Sequence, residues 1–417
     1  MVATSCSLVP AMRVLISFAA LFSSVLMLQL AFGGVVPLDA LSGALLGFTG
    51  AQIGLLGSAH FLGFFIGCWW APRLMGDVGH SRAFAAFTAA GTISILAHMM
   101  LVDPWAWTLM RVISGMAIAG CYTIIEAWVQ SRVTNKTRGR AMGVYRVVDV
   151  SGSFGAQLLI AFLEPAVYLS YNLLALIACA ALFPVLLTKS AAPATGTAPR
   201  LRPKLAWQRS PLGATGVVVS GITGAAFRMV GPLYGLAVGL SADRIALFLS
   251  AYVLGGALAQ LPVGYLADKY DRRYVLIALS AAAMLGCAVM AMATQGGVTL
   301  LFLAAGFFGA TTFPIYSIST AHAHDFAAQD ERVELSAAHM FLYALGAIAS
   351  PVIASALITG FGPGAMFGFI ALAHLMLILF GLLRIRARAA PEDRTRYVYA
   401  PRTSFIIGRL LRRKPER

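Results

Sequence analysis

The chain has 417 residues, of which 59% are hydrophobic and 11% charged, and its mean hydropathy is +0.81. Soluble domains carry about 25% charged residues, so this composition excludes an ordinary globular enzyme. It predicts an all-α membrane protein, because backbone groups in lipid must be paired within their own segment. The net charge of +15 follows from bases gathered on one side of a membrane, and we therefore predict no nucleic-acid partner.

Apolar runs of about 20 residues, each long enough to cross a hydrocarbon core of about 30 Å, recur along the chain. They predict about twelve transmembrane helices, at residues 14–37, 49–71, 83–102, 105–129, 140–163, 166–188, 213–236, 244–266, 274–294, 298–320, 335–358 and 362–384. The first run exceeds the apolar region of about 7–15 residues of a signal peptide, which favours a retained first helix.

The predicted organisation is two six-helix bundles, at 1–189 and 213–384, joined by a cytoplasmic linker at 190–212 that is rich in Pro, Ala, Thr and bases. Residues 385–417 form a basic cytoplasmic tail. Its stretch Thr403–Lys414 mixes apolar and basic residues, as a surface helix attracted to anionic lipid does. A solvated, disordered tail is the alternative, and the sequence leaves both open.

Connections on one side of the predicted bundles carry most of the bases, at Arg73, Arg82, Arg132, Lys136, Arg138, Arg140, 189–209, Lys269, Arg272, Arg273, Arg332 and the tail from Arg384. The opposite connections hold Asp39, Asp103, Glu164 and Asp243, with Arg244 as the one base. The positive-inside rule therefore predicts a multi-pass protein of a bacterial inner membrane with both termini in the cytoplasm.

Two related segments, Pro72–Arg82 and Gly264–Arg273, join neighbouring spans about half a chain apart. We interpret them as loops of one unit that is built twice, and their paired acids and bases suit a cytoplasmic gate. The predicted gate residues are Asp77, Arg82, Glu126, Arg138, Arg140, Asp268, Arg272 and Arg273. For Glu126, a salt-bridge cluster with the neighbouring arginines is favoured over a substrate contact.

These loops, the two halves and the charged linker resemble the major facilitator superfamily, with Asp271 in place of the usual glycine and Ala71 in place of the first copy's aspartate. Finer features resemble the YcaD-like branch, at Arg111-x3-Gly115, Glu126, Arg138-Gly139-Arg140, Ser220-Gly221, Pro232-Leu233-Tyr234, Phe313-Pro314-x-Tyr316 and Ala321–Asp325. The resemblance implies solute transport by alternating access without covalent chemistry. Riboflavin uptake proteins of alphaproteobacteria share this general layout, and riboflavin is therefore the candidate substrate.

Ionisable residues inside the spans should face a cavity or a partner, because charge at mid-membrane costs roughly 2.5–3.5 kcal/mol or more. Arg146 and Asp149 share a helix face, so they either neutralise each other or form a proton-coupling pair that frees Arg146 for substrate. Arg228 is a candidate substrate contact, beside Gly231-Pro232 where a helix break is expected. For Arg111 we expect hydrogen bonds to the backbone carbonyls of a neighbouring helix.

Polar and aromatic residues on the inner spans suit a flat aromatic solute, although such side chains also simply bond across helices. The predicted substrate-binding set is Gln29, Arg146, Arg228, Thr312, Tyr316, His339 and Tyr343, with His60 a weaker candidate. His98 and His374 are expected to be packed or interfacial. For His322, His324 and Asp325 we favour a helix-end cap with solvated histidines over a metal site.

No Gly-x4-Gly-Lys-[Ser/Thr] phosphate loop is present, so we predict no direct use of ATP. We also predict no cofactor, and no metal because no fourth ligand is evident beside His322, His324 and Asp325. The expected partners are a small-molecule substrate, protons as candidate coupling ions, and the lipid bilayer, for a protein that acts as a monomer. The fifth span lacks the Gly-Pro signature of proton antiporters, which favours uptake. Proton-coupled drug or metabolite efflux is the alternative within the class, and a membrane-embedded transferase is the remote one.

Overall fold

The computed structural model describes residues 8–133, 138–187, 201–292, 297–387 and Tyr397, without the side chains of 8–17, 130–132 and 138–140. Every regular element in these ranges is helical. The elements are α1 Leu8–Leu45, α2 Gly50–Val78, α3 His80–Ala97, α4 Pro104–Arg132, α5 Arg138–Leu159, a 3-10 turn Ile160–Phe162, α6 Tyr168–Ala180, α7 Leu182–Leu186, α8 Pro203–Arg209, α9 Pro211–Ala237, α10 Ala242–Lys269, α11 Arg272–Met292, α12 Val298–His324, α13 Arg332–Phe361 and α14 Ala365–Ala387.

The fourteen α-helices give twelve segments when α6 and α7 are counted as one and α8, in the predicted linker, is set aside. Ten segments of the described chain are long and apolar enough to cross a membrane. The other two are α3 and α5, and α5 carries Arg146 and Asp149. Large apolar side chains such as Leu261 and Phe162, both 85% exposed, cover the outer surface as lipid requires. The predicted all-α membrane fold is confirmed.

The helices pack in the same pattern in each half of the chain. In the first half α1 packs on α5 and α6, α2 on α4, and α3 on α4 and α6. In the second half α9 packs on α13 and α14, α10 on α12, and α11 on α12 and α14. Each helix of the first half thus has a counterpart in the second, so the structure consists of two six-helix bundles built on one plan.

Glycines bring the central helices of each bundle into backbone contact. A Cβ added to Gly115 of α4 would lie 2.0 Å from the carbonyl oxygen of His60 on α2. A Cβ added to Gly309 of α12 would lie 2.0 Å from the carbonyl oxygen of Tyr252 on α10. The same close approach therefore recurs at equivalent helix pairs, as small-residue packing in membranes allows.

The two segments interpreted as gate loops are mostly helical. α2 continues to Val78, and Gly79 alone, at φ +83°, separates it from α3. α10 continues to Lys269, which leaves Tyr270 and Asp271 as the link to α11. The turns are shorter than the predicted loop segments, because at the first of them one glycine in the left-handed region reverses the chain without further residues. We call this end of the molecule the motif side and the opposite end the far side.

The bundles meet through α2 with α13, α1 with α9, and α5 with α10. On the far side, a Cβ at Gly54 of α2 would lie 2.7 Å from the carbonyl oxygen of Pro351 on α13. A Cβ at Gly57 would lie 2.7 Å from the Cβ of Met229 on α9. The small residues of α2 therefore let the two halves touch closely around a shared midline.

Candidate transport site

A cavity of about 130 Å³ lies between the two bundles. Four helices of each half contribute to its wall, which follows from the repeated packing. Its lining consists of Gln29, Phe32, Gly33 and Val36 of α1, His60, Phe61 and Phe64 of α2, Ile118 and Tyr122 of α4, Arg146, Asp149, Val150 and Ser153 of α5, Arg228 and Met229 of α9, Val253 of α10, Phe313 of α12 and Tyr343 of α13.

Arg146 and Asp149 form an ion pair on the α5 wall. Nη1 of Arg146 lies 3.5 Å from Oδ2 of Asp149, and the two side chains are 12% and 13% exposed. The hydroxyl of Tyr122, on α4, donates a hydrogen bond of 3.1 Å to Oδ1 of Asp149. The predicted i, i+3 pairing is therefore present, with a tyrosine as an additional partner of the carboxylate.

Glu126 lies behind this pair and is 1% exposed. Its Oε1 accepts a hydrogen bond of 3.0 Å from the hydroxyl of Tyr145 and lies 3.5 Å from Nη2 of Arg146. Of the arginines expected around Glu126, Arg82 is exposed on α3 and makes no ion pair with it, while the side chains of Arg138 and Arg140 lie outside the described residues. Glu126 thus shares the guanidinium of Arg146 with Asp149, so that Arg146 lies between two carboxylates of the described residues.

Arg228 lines the cavity from α9 of the second bundle, whereas Arg146 and Asp149 line it from α5 of the first. It is half-buried, and within the described part of the chain it makes no ion pair or hydrogen bond to the protein. It lies within electrostatic range of His60, Tyr122 and Asp149. Contrary to the expected break, α9 is continuous through Pro232. Because proline lacks an N–H, the carbonyl of Arg228 still loses its helical donor, which adds a polar group near the cavity.

Aromatic rings form much of the remaining wall. The rings of Phe61 and Tyr343 meet edge to face across the bundle interface, with centroids 6.4 Å apart. The ring of His60 stands edge-on to Phe61 at 5.5 Å, and its buried Nδ1 has no hydrogen-bond partner among the described residues. Rings in these orientations and a planar guanidinium suit a flat solute, which stacks on both.

Three of the predicted substrate residues are not among the lining residues of this cavity. The hydroxyl of Thr312 donates to the carbonyl of Phe308, at 2.7 Å, within its own helix. Tyr316 packs edge-on against Tyr343, with centroids 5.5 Å apart, and is 2% exposed. His339 is fully buried near the ring of His324. The structure thus brings Gln29, Arg146, Arg228, Tyr343 and Asp149 together and leaves these three in the surrounding packing.

The predicted gate residues of the second half form a network on the motif side. Nη1 of Arg272 lies 2.7 Å from Oδ1 of Asp325 at the end of α12, and Nη2 lies 3.3 Å from Oδ1 of Asp268. Nη2 of Arg273 lies 2.6 Å from Oδ2 of Asp271. Burial acts to raise the pKa of Asp271, but the hydrogen bonds from Arg273 outweigh it and hold that pKa below its ordinary value.

The first half has no such network among its described side chains. Asp77 and Arg82 are exposed and form no ion pair there. The side chains of Arg138 and Arg140 lie outside the described residues. The two copies of the motif therefore differ in structure as they do in sequence, where Ala71 stands at the position of an aspartate.

The expectation of solvated histidines at the end of α12 is wrong. His322 is 5% and His324 3% exposed. Nε2 of His324 lies 3.2 Å from the hydroxyl of Ser336 on α13, because α13 packs over this end of α12. The side chain of Asp325 is also buried, at 1% exposed, where it binds Arg272, so this segment contributes to the motif-side network.

Arg111 and Asp39 form a buried ion pair on the far side. Nε of Arg111 lies 3.5 Å from Oδ2 of Asp39, and both side chains are 2% exposed. Nε2 of His98 lies 3.3 Å from the same oxygen, and the hydroxyl of Tyr171 donates to Oδ1 at 3.0 Å. The assignment of Asp39 to a connection is wrong, because α1 continues through Pro37 to Leu45. Arg111 has a carboxylate partner instead of the expected backbone carbonyls.

Sequence reasoning missed Tyr122, which the structure places on the Asp149 carboxylate. The available signal was its position four residues before Glu126, which puts both on one face of α4. It also missed the role of Asp325, although the resemblance had singled out that segment. Phe61 and Phe64 carried no signal, because a phenylalanine on a membrane helix faces lipid as often as a cavity.

The comparisons with known proteins agree with this geometry. The Major Facilitator Superfamily profile matches residues 213–416. An uncharacterised MFS-type transporter, YcaD, of Escherichia fergusonii is 24% identical over 342 residues, which cover 82% of this chain and 88% of that protein. An uncharacterised MFS-type transporter of Yersinia pestis is 26% identical and covers 79% and 86%. The second half of the chain thus matches the Major Facilitator Superfamily profile, and proteins named as transporters of this type align with both halves.

Solved structures show the same fold at low identity. The nucleoside transporter NupG superimposes with a TM-score of 0.73 at 16% identity, covering 88% of this chain and 99% of that one. A D-xylose–proton symporter gives 0.68 at 13% identity, covering 92% and 99%. These solved proteins and the sequence relatives are named as transporters, and this chain shares the fold of the solved ones.

Proposed function

We propose that this protein is a member of the major facilitator superfamily and a secondary transporter of the bacterial inner membrane. It takes up a small aromatic or heterocyclic solute by alternating access, with both termini in the cytoplasm. The observation that carries the proposal is the cavity between the bundles, with Arg228 on one wall and the Arg146–Asp149 pair on the other. The two halves hold one site jointly, so a rocking motion of the halves exposes that site to each side in turn.

Arg228 is the first candidate for substrate recognition. A charge in a membrane cavity is stabilised by water or by a ligand when the protein offers no partner. The guanidinium presents a planar fork that binds a carboxylate or phosphate in two places and stacks on rings. Phe61 and Tyr343 line the same cavity, so the site fits a flat ring system that carries hydrogen-bond acceptors. Riboflavin has that chemistry and is the first compound to test.

Asp149 is the proposed proton-coupling residue. It shares Arg146 with Glu126, so protonation of Asp149 would leave the guanidinium to Glu126 and to the substrate. The Asp149→Asn variant should lose accumulation of solute against a gradient while it retains exchange of solute across the membrane. Unchanged accumulation would remove Asp149 from the coupling role.

The test is uptake of labelled riboflavin into liposomes that contain only the purified protein, with a labelled nucleoside as the second compound because NupG shares the fold. We expect flux above that of empty liposomes, loss of flux in Arg228→Gln, and unchanged flux in Lys204→Gln, which removes an exposed charge from α8. Absence of riboflavin flux would discard the flavin proposal. Solute export driven by a proton gradient would favour efflux instead.

A further inference from the structure

Tyr397, in the C-terminal tail, lies on the motif-side end of α10 and contacts three successive turns of that helix. Its hydroxyl donates a hydrogen bond of 2.8 Å to Oε1 of Gln260, and its backbone N–H donates one of 2.6 Å to Oδ1 of Asp268. Its ring lies over Gly264. Gln260, Gly264 and Asp268 are spaced by four residues and therefore share one helix face. We call these three residues the tyrosine cleft.

Gly264 is the floor of the cleft. A Cβ added there would lie 2.7 Å from Cδ1 and 2.8 Å from Cε1 of Tyr397, and its three nearest neighbours all belong to that ring. The ring also packs against the apolar cluster that includes Val263 and Ala267 of α10. A side chain at position 264 would therefore collide with Tyr397 first. Only glycine lets the aromatic ring lie directly against the α10 backbone at this position.

Asp268 connects the cleft to the gate network. The same Oδ1 accepts the N–H of Tyr397 and lies 3.3 Å from Nη2 of Arg272, and the side chain of Asp268 is 44% exposed. Arg272 in turn holds Asp325 at the end of α12. Tyr397, Asp268, Arg272 and Asp325 thus form one continuous chain of contacts, which ties Tyr397 to α10, α11 and the end of α12.

We propose that the C-terminal tail is an intramolecular ligand of α10: Tyr397 docks in the tyrosine cleft and holds the gate network in its present arrangement, so that undocking accelerates transport. The docking is independent of what the protein carries, whereas the acceleration rests on the proposed transport function. The two parts are therefore tested by separate measurements.

Docking is measured by limited trypsin digestion of the full-length protein in detergent, because Arg394 and Arg396 lie next to Tyr397 in the sequence. Cleavage after these residues, followed by mass spectrometry, should be faster in Gly264→Val and in Tyr397→Ala than in the wild type. Gly368→Val is the matched control, since position 368 of α14 has open space around it and should leave the rate unchanged. Equal cleavage of the wild type and both cleft variants would overturn the docking.

The gating role is measured as the initial rate of solute flux in liposomes. Gly264→Val and Tyr397→Ala should each raise the rate by about two- to tenfold, the factor that one net hydrogen bond supplies. The double variant should be no faster than either single variant, because both remove the same contact. Unchanged flux in variants whose tail has become protease-sensitive would overturn the gating role. If cleavage is faster in the variants than in the wild type, but none of these proteins shows solute flux, the proposed substrate fails and the docking stands.

Discussion

Gly115→Ala tests whether backbone contact between α2 and α4 holds the first bundle together. The new Cβ would lie 2.0 Å from the carbonyl oxygen of His60 and 3.0 Å from the backbone nitrogen of Phe64. The shortest favourable carbon–oxygen distance is about 3.3 Å, so the two helices must move apart by about 1.3 Å. Overpacking of this kind lowers the free energy of unfolding by about 1–3 kcal/mol, whereas alanine in place of glycine in a helix raises it by about 1 kcal/mol.

The assay compares three alanine variants by their thermal unfolding midpoints in detergent. Gly115→Ala should lower the midpoint by several degrees, and Gly309→Ala should match it because its Cβ meets the carbonyl oxygen of Tyr252 at the same 2.0 Å. A Cβ at Gly368 of α14 meets no neighbouring atom, so Gly368→Ala changes only the helix propensity, which favours alanine. It should therefore not lower the midpoint. A midpoint for Gly115→Ala equal to that of Gly368→Ala would refute the reasoning.

Two further predictions concern ion pairs. Asp39→Asn leaves the guanidinium of Arg111 buried without a counter-charge, so stability should fall by about 3–5 kcal/mol, and an unchanged thermal midpoint would contradict this. The hydrogen bond from Arg209 lowers the pKa of Glu331, so that pair stabilises the fold at neutral pH and its contribution disappears as the pH falls below 4.5 and through the lowered value. The midpoint should therefore fall more steeply with acid in the wild type than in Glu331→Gln, and parallel curves would argue against it. The effect is small because Arg209 is 40% exposed.

The sequence predicted the helices well and their ends less well. A bilayer demands about 20 apolar residues whatever the neighbouring helices are, so each span is visible in isolation. The end of α1 could not be predicted, because a lone aspartate such as Asp39 is typical of a connection between spans. Its buried partners, Arg111 and His98, come from other parts of the chain and appear only in the tertiary structure. The link at Gly79 was misjudged for a similar reason, since a single residue with positive φ replaces a loop.

Charged residues identified the site more reliably than polar ones did. Arg146, Asp149 and Arg228 reach the cavity because a charge inside a membrane requires water or a partner. A hydroxyl carries less information, since Thr312 satisfies its hydrogen bond on the carbonyl four residues earlier in its own helix. The imidazole of His339 is likewise enclosed by packing, which only the tertiary structure shows.

The most direct test of the account is whether the cavity between the bundles opens to both sides of the membrane. Ser153 lines that cavity and can be replaced by cysteine in a chain whose five native cysteines are changed to serine. A membrane-impermeant thiol reagent is then applied to intact cells and to inverted membrane vesicles. The account predicts labelling of Ser153→Cys from each side; labelling from one side alone, under every solute and proton gradient applied, would contradict alternating access.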